Sequence, residues 1–443
     1  MSSKNKTTAA KDVAKPVPVP KLRFPEFQSA GEWTTVELGA VATIRTEKVG
    51  NNICVPMSIT SGVGLVSQEE KFGRVIAGDS YKNYLLLKPN EFAYNKSATK
   101  EYPEGFLTLY SGAALAAVPN SIFTCFRING ESPDVRFLNY QFSDNLHGRW
   151  LRKFIQVGAR AHGSLSINDN DLMALPVPVP AGTTSVAEQQ KIAECLSSVE
   201  ELMAAQARKV DTLKTHKKGL MQLLFPCEGE TQPRLRFPEF HNTGGWSDGR
   251  LADIATVLQG YGFPERLQGQ KGGDFPFYKV SDISRSLAAG KVFIEESTNY
   301  INESLLKELR AKPIPEGTTV FAKIGEAIRS NRRAITTVPC LIDNNAAGVK
   351  RIKGKATDMF IYLLMEQISL IDHAGGVVPA VNKSAIEEIA VKFPEPDEQE
   401  RIASCLSSLD AMITAEIQKN EALKTHKKGL MQQLFPSTEE VGA

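Results

Sequence analysis

The chain has 443 residues, 42% hydrophobic and 23% charged, and its 52 basic and 50 acidic side chains leave a net charge of +2. That length allows two to four domains with sizeable cores, and the near-neutral balance excludes an overall basic excess, so any anion-binding face must be local. No apolar run approaches the ~20 residues needed to span a bilayer, and the six cysteines contain no CxxC pair, which argues against a zinc site and a secreted disulfide framework. The expectation is a cytoplasmic protein with no membrane partner.

Residues 1–20 are polar and then Pro-rich, without the apolar stretch of a signal peptide, and are read as a flexible tail. A first domain is predicted over 21–184, opening on KLRFPEF at 21–27. Short runs bounded by Gly, Pro, Asn and Asp, such as YLLL (84–87), FAYN (92–95) and FTCFRI (123–128), predict strands, and 134–155 predicts a helix. A first long helix is predicted over 185–226, and Pro226 stops it. A second domain is predicted over 227–396, opening on RLRFPEF at 234–240, with strands at FPFYKV (275–280) and TVFAKI (319–324) and a helix at 357–371. A second long helix follows over 397–436, with Asp397 and Glu400 as a capping box, and 437–443 is a tail.

The two long helices are one sequence written twice. Residues 187–226 and 397–436 agree at 23 of 40 positions, and LKTHKKGLMQ recurs unchanged at 213–222 and 423–432. The domains share only their ends: Phe24, Trp33 and Leu38 align with Phe237, Trp246 and Leu251, and Ile167-Asn168 with Val381-Asn382. Each helix carries an apolar 4-3 seam, Ile192 to Leu224 and Ile402 to Leu434. At ~1.5 Å per residue each is about 55 Å long, and pairing with each other would cover both seams. Because the second domain joins the end of one helix to the start of the other, antiparallel pairing brings its termini together. The predicted fold is α+β: two domains separated by a pair of long antiparallel coiled-coil helices, with circular pseudo-twofold symmetry. Gln206, Glu416 and Asn420 fall near the middle of the seam, where they either fix register or mark a solvated break.

No catalytic motif survives inspection. GxxxxGK[ST], strand-GxGxxG-helix, HExxH and GxSxG are all missing, and the six histidines form no ligand-spaced cluster. Two diverged heads on one conserved rod suit the reading of two different half-sites at a set separation. Polar and basic residues in interstrand loops can reach base edges or phosphates. The candidates are Asn95, Lys96, Ser97, Lys100, Arg160 and His162 in the first domain, and Tyr278, Lys279, Ser281, Lys323, Arg329, Asn331, Arg332 and Arg333 in the second. The adjacent guanidiniums of Arg332 and Arg333 are the strongest pair. A basic run at 350–355, considered alone, is more readily a solvated face.

The doubled helix entry (SVAEQQKIAECLSSVE and EPDEQERIASCLSSLD), the doubled exit LKTHKKGLMQ, and segments such as FAYNKS (92–97), GARAHGSLSINDNDL (158–172) and FAKIGEAI (321–328) resemble the specificity subunit of type I restriction-modification enzymes. The resemblance covers essentially all of the chain after the tail. It implies that each domain is a target recognition domain for one half of a bipartite site in double-stranded DNA, and that the helices set the spacing. It further implies two modification (methyltransferase) subunits and restriction (translocase/endonuclease) subunits as partners. The chain itself would be non-catalytic and bind no cofactor, with S-adenosylmethionine, ATP and magnesium carried by the partner subunits. The alternatives are a coiled-coil adaptor presenting two protein-binding heads and, less well supported, a self-sufficient enzyme.

Overall fold

A computed structural model describes residues 19–60, 63–155, 165–227 and 229–436. It is a mixture of helices and short strands, and the chain divides into two compact units, one formed by residues 1–202 with 423–443 and the other by 203–422. The division falls inside both long helices, which run Ser185–Leu224 and Pro396–Leu434. No helix among the described residues is long and apolar enough to cross a membrane.

The first unit holds two four-stranded sheets. One has the order 42–45, 123–128, 92–95, 106–109, and the other 64–67, 55–60, 116–118, 85–87. FAYN and FTCFRI are its central strands, buried almost throughout because both faces are covered, and their continuous apolar runs reflect this. The predicted helix at 134–155 is broken into Val135–Ser143, Leu146–Leu151 and a short 3-10 turn, because Asn145 takes a left-handed conformation at φ 63°. The core gathers Trp33, Phe92, Phe126 and Phe137 with Ile192 and Leu196 of the first long helix and Leu434 and Phe435 from the end of the second.

The second unit has a five-stranded sheet in the order 255–259, 346–351, 319–322, 333–336, 293–294, and a three-stranded one, 300–301, 275–278, 341–342. FPFYKV stays extended only to Tyr278; the Lys279 amide then donates to Asp282 Oδ2 at 2.8 Å and the chain turns into a helix, Val280–Ala288. Helix Asp358–Gln367 is apolar nearly all round and is accordingly buried. It stacks Phe360 on Phe225, with ring centroids 5.6 Å apart.

Within each unit the two long-helix segments run antiparallel. In the second unit Gln206 donates to the Glu416 carbonyl at 3.0 Å and Lys217 pairs with Asp410 at 2.9 Å, so the partner number falls as the first rises. In the first, Lys427 pairs with Glu200 at 2.6 Å while Leu434 joins Ile192 and Leu196. Every 4-3 seam position of both helices is buried or half-buried. The second helix starts one residue before the predicted capping box. Pro396 is its first residue, where a missing N–H costs nothing, and the Glu395 carbonyl accepts from the Glu398 and Gln399 amides at 3.1 Å, so Asp397 sits inside the first turn.

The doubled motifs make one doubled clamp. Glu188, 1% exposed, accepts from Arg23 Nε at 2.7 Å, Arg23 Nη2 at 2.6 Å and Trp33 Nε1 at 3.2 Å. Glu398 accepts from Arg236 Nε, Arg236 Nη2 and Trp246 Nε1 at the same three distances. The neighbouring glutamines repeat the pattern. Gln189 Oε1 accepts from the Asp134 amide at 2.7 Å, and Gln399 Oε1 from the Thr357 amide at 3.1 Å, both of them N-cap residues of the helix packed beneath. The Leu22 amide donates to the Gln433 carbonyl and the Leu235 amide to the Leu223 carbonyl, both at 2.9 Å. Thus the LRFPEF segments, the EQ helix entry and the helix exits are preserved together because they are bonded together.

Candidate nucleic-acid interface

Two equivalent sites emerge from the central strands. FAYN is followed directly by Lys96 and TVFA by Lys323, and both lysines are half-buried. The Lys96 amide donates to the Ile122 carbonyl and the Lys323 amide to the Asn345 carbonyl, each at 2.8 Å. The Lys96 carbonyl accepts from the Leu165 amide at 2.7 Å, and the Lys323 carbonyl from the Val381 amide at 2.9 Å. Leu165 and Val381 are followed closely by Asn168 and Asn382, each of which caps a short helix by accepting a backbone N–H at 2.8 Å. In each unit, then, a lysine closes the central strand and the chain returning from a Gly-rich segment is hydrogen-bonded to it.

The two lysines differ electrostatically. Lys96 Nζ is 3.3 Å from Asp169 Oδ1, a carboxylate that also accepts from Thr124 Oγ1 at 2.8 Å. Lys323 Nζ donates to the neutral Gln259 side chain, and burial pulls its pKa below the ordinary lysine value. Lys323 opens onto a recess of about 680 Å³ also lined by Asp372, His373, Gly375 and Asn382. The Lys323 ammonium has an uncharged hydrogen-bond partner and feels the Asp343 carboxylate only through space, so it keeps more of its attraction for an anion than Lys96, which is ion-paired with Asp169. Asp169 and Gln259 were missed in the sequence because each lies far along the chain from the lysine it touches.

The remaining predicted residues divide between surface and core. Asn95 is half-buried and its side chain accepts from the Ser97 amide at 2.8 Å; Ser97 is half-buried and Lys100 exposed. Arg160 and His162 lie outside the described residues. Ser281 is exposed on the first turn of helix 280–288, and Lys279 Nζ reaches Gln268 Oε1 at 2.5 Å. Arg329 is exposed and pairs with Glu326 at 3.0 Å, and Asn331 sits at φ 49° in the following turn. Arg332 is exposed.

Two expectations conflict with burial. Tyr278 is fully buried and its hydroxyl donates to the Ile294 carbonyl at 3.3 Å. Arg333 is 2% exposed, donating through Nη1 to the Asn331 carbonyl at 2.7 Å and through Nη2 to the Ile368 carbonyl at 2.8 Å, with burial pushing its pKa down to about 10. The pair Arg332-Arg333 is therefore split by strand geometry. Arg333 begins the wholly buried strand 333–336 and ties the turn before it to the end of helix 358–367, while Arg332 alone faces water. The basic run at 350–355 is also partly neutralised, since Lys350 and Arg351 lie 2.8 and 3.2 Å from Asp358. Among the described residues no group of three or more His, Cys, Asp or Glu is placed to hold a metal ion.

Residues 243–425 match the family model of the type I restriction modification DNA specificity domain. The chain is 25% identical over 300 residues to a putative type I restriction enzyme MjaX specificity subunit of Methanocaldococcus jannaschii, covering 65% of each chain. It is 24% identical over 370 residues to the MjaIX specificity subunit of the same organism, covering 79% of this chain and 82% of that one. Residues 243–425 thus match the specificity domain, and the chain is similar to type I restriction-modification specificity subunits. The fold of the chain is similar to the crystal structure of the S subunit of a type I system from M. genitalium, with a TM-score of 0.55 and 14% identity over 94% of this chain and 99% of that one. A second solved chain, from a type I R-M system whose complex assembly and conformational transition are described, gives a TM-score of 0.56 at 14% identity, covering 92% and 98%. The alignment to the first relative thus spans about two thirds of that relative's length.

Proposed function

We propose that this chain is the DNA-recognition subunit of a type I restriction-modification complex. It reads an asymmetric bipartite target through two target recognition domains, 21–184 and 227–396, and directs methylation and restriction carried out by partner subunits. The observation that carries the reading is the doubled site: a strand-end lysine whose carbonyl is hydrogen-bonded by the chain that follows a Gly-rich stretch of sequence, repeated in two units whose clamps match and whose loop residues do not. One protein with the same scaffold twice and two different reading faces suits two different half-sites.

The spacer segments 185–226 and 397–436 form an antiparallel pair that acts as the ruler, and the molecule has circular pseudo-twofold symmetry. Gln206 and Glu416 are separated by the 210-residue repeat offset and touch each other, as twofold-related residues do only near the axis relating them. The hydrogen bond from Leu22 to Gln433, the counterpart of that from Leu235 to Leu223, closes the circle in the first unit. On this reading the partners are double-stranded DNA, two modification subunits and restriction subunits in the cytoplasm. S-adenosylmethionine, ATP and magnesium belong to those subunits, and this chain supplies the address without the chemistry.

The DNA-contacting set in this reading is Asn95, Lys96, Ser97, Lys100, Arg160 and His162 in the first domain. In the second it is Lys279, Ser281, Lys323, Arg329, Asn331 and Arg332. Inserting seven residues at matched positions in both long helices lengthens the pair by about 10 Å, roughly three base pairs at 3.4 Å each. Methylated-base sequencing should then show a longer spacer between unchanged half-sites. Altered half-sites at constant spacing would refute the ruler.

A further inference from the structure

A rigid finger stands at the foot of the second site. Gly375 and Ala380 exchange both backbone hydrogen bonds, at 3.0 and 3.1 Å, closing the four-residue loop Gly376-Val377-Val378-Pro379. Gly376 has φ 90°, which an L side chain rarely adopts. The Gly325 amide donates to the Pro379 carbonyl at 2.8 Å, and the Val381 amide to the Lys323 carbonyl at 2.9 Å, so the outgoing side of the loop is stapled to residues 323–325 and Gly375 is held through its pairing with Ala380. That same segment leads into the turn carrying Arg329 and Arg332, and the recess at the foot holds Lys323 and His373.

At the tip are two adjacent valines in water. Val377 is 104% exposed relative to the reference state, the highest value among the described large hydrophobic residues, and Val378 is 62% exposed. Single apolar residues scattered on a surface need no explanation. Two neighbouring β-branched residues on a hydrogen-bonded, backbone-constrained loop beside a basic site are a different matter, because their rotamers are already restricted and little freedom is lost on contact.

We propose that Val377 and Val378 read thymine in the major groove by packing on its C5 methyl group. The inference rests on the DNA-recognition reading above and assigns a specificity-determining contact within it. In the major groove the thymine methyl is the one apolar group that distinguishes base edges, so an apolar tip has a single matching feature there. The minor groove offers no such group. The wedges that unstack bases from that side are typically larger side chains. By the 214-residue offset, Gly163-Ser164 is the sequence counterpart of Val377-Val378, so the apolar pair belongs to the second copy alone. The contact therefore serves the half-site read by the second domain.

The test uses the full chain assembled with its modification subunits and a duplex carrying the mapped target. Each thymine of the second half-site is replaced in turn by uracil, which removes only the methyl. At one or two positions uracil should weaken wild-type binding about fourfold, the worth of one buried carbon. The double variant Val377→Ala/Val378→Ala should bind the thymine duplex correspondingly less well and be indifferent to uracil at those same positions, with its thermal midpoint unchanged. Two results overturn the assignment: wild-type binding indifferent to uracil at every position, or a variant that keeps the full uracil effect. A wild-type complex that selects no sequence at all overturns the DNA-recognition reading, and the finger's role with it.

Discussion

Removing the carboxylate of Glu398 should unlock the second unit from its helix. Glu398 and Arg236 have side chains only 3% and 13% exposed, and the Trp246 indole shares the same carboxylate. Truncating one partner of a buried ion pair typically costs 3–5 kcal/mol, because the other charge is left without compensation. Arg236 keeps part of its satisfaction through Thr243 Oγ1 at 2.9 Å and the Gly244 carbonyl at 2.8 Å, which brings the expected loss for Glu398→Ala to about 3 kcal/mol. Glu188→Ala removes the matched clamp, with exposures of 16% and 1%, and should cost a similar amount. Glu398→Gln, which retains an acceptor but no charge, should fall between wild type and Ala. Urea unfolding of each full-length variant gives the loss from the midpoint and slope. A cost below about 1 kcal/mol for either Ala variant, or costs differing by more than about 2 kcal/mol, would refute the argument that the repeated motifs are preserved as one clamp.

Acid should destabilise the first unit through His147. Its ring is 1% exposed, and burial pulls its pKa from the usual 6.5 to about 4, so the fold holds the neutral form. That contribution is present above pH 6.5 and lost as the pH falls through 6.5 towards 4, by about 3 kcal/mol in all. The loss should appear as a fall in urea midpoint, flattened in His147→Phe, and an equal fall in the variant would assign it to other groups. Arg332→Ala should weaken binding at the second half-site only and reduce the salt dependence by about one ion; equal loss at both half-sites would indicate a docking or folding defect. Arg333→Ala, by contrast, should cost about 2–4 kcal/mol of stability, since it empties a buried site and frees two backbone carbonyls. A variant with unchanged stability would overturn its structural role.

Periodic and repeated features were legible in the sequence; features set by distant contacts were not. The two long helices showed because a 4-3 pattern sustained over ten positions reports one buried face, and all of those positions are covered. FAYN and FTCFRI showed as strands because short apolar runs between turn residues leave little alternative. The helix at 134–155 was read too long, since nothing in its apolar pattern announces the left-handed Asn145 that divides it. Lys96 and Lys323 were singled out as candidates by residue type and place, whereas the partners that distinguish them, Asp169 and Gln259, come from remote segments. Arg333 was misjudged for a related reason. A guanidinium beside a loop reads as surface until the strand it begins is seen to be wholly buried, with backbone carbonyls waiting for it.

The central claim is that one chain addresses two different half-sites at a set distance. Mapping methylated adenines across the genome of a host that expresses this chain with its modification subunits tests it most directly. The expected result is one asymmetric bipartite sequence, with a methylated adenine in each half and a constant spacer between them. A single contiguous site, two identical half-sites, a spacer that varies freely, or no methylation dependent on this chain would contradict it.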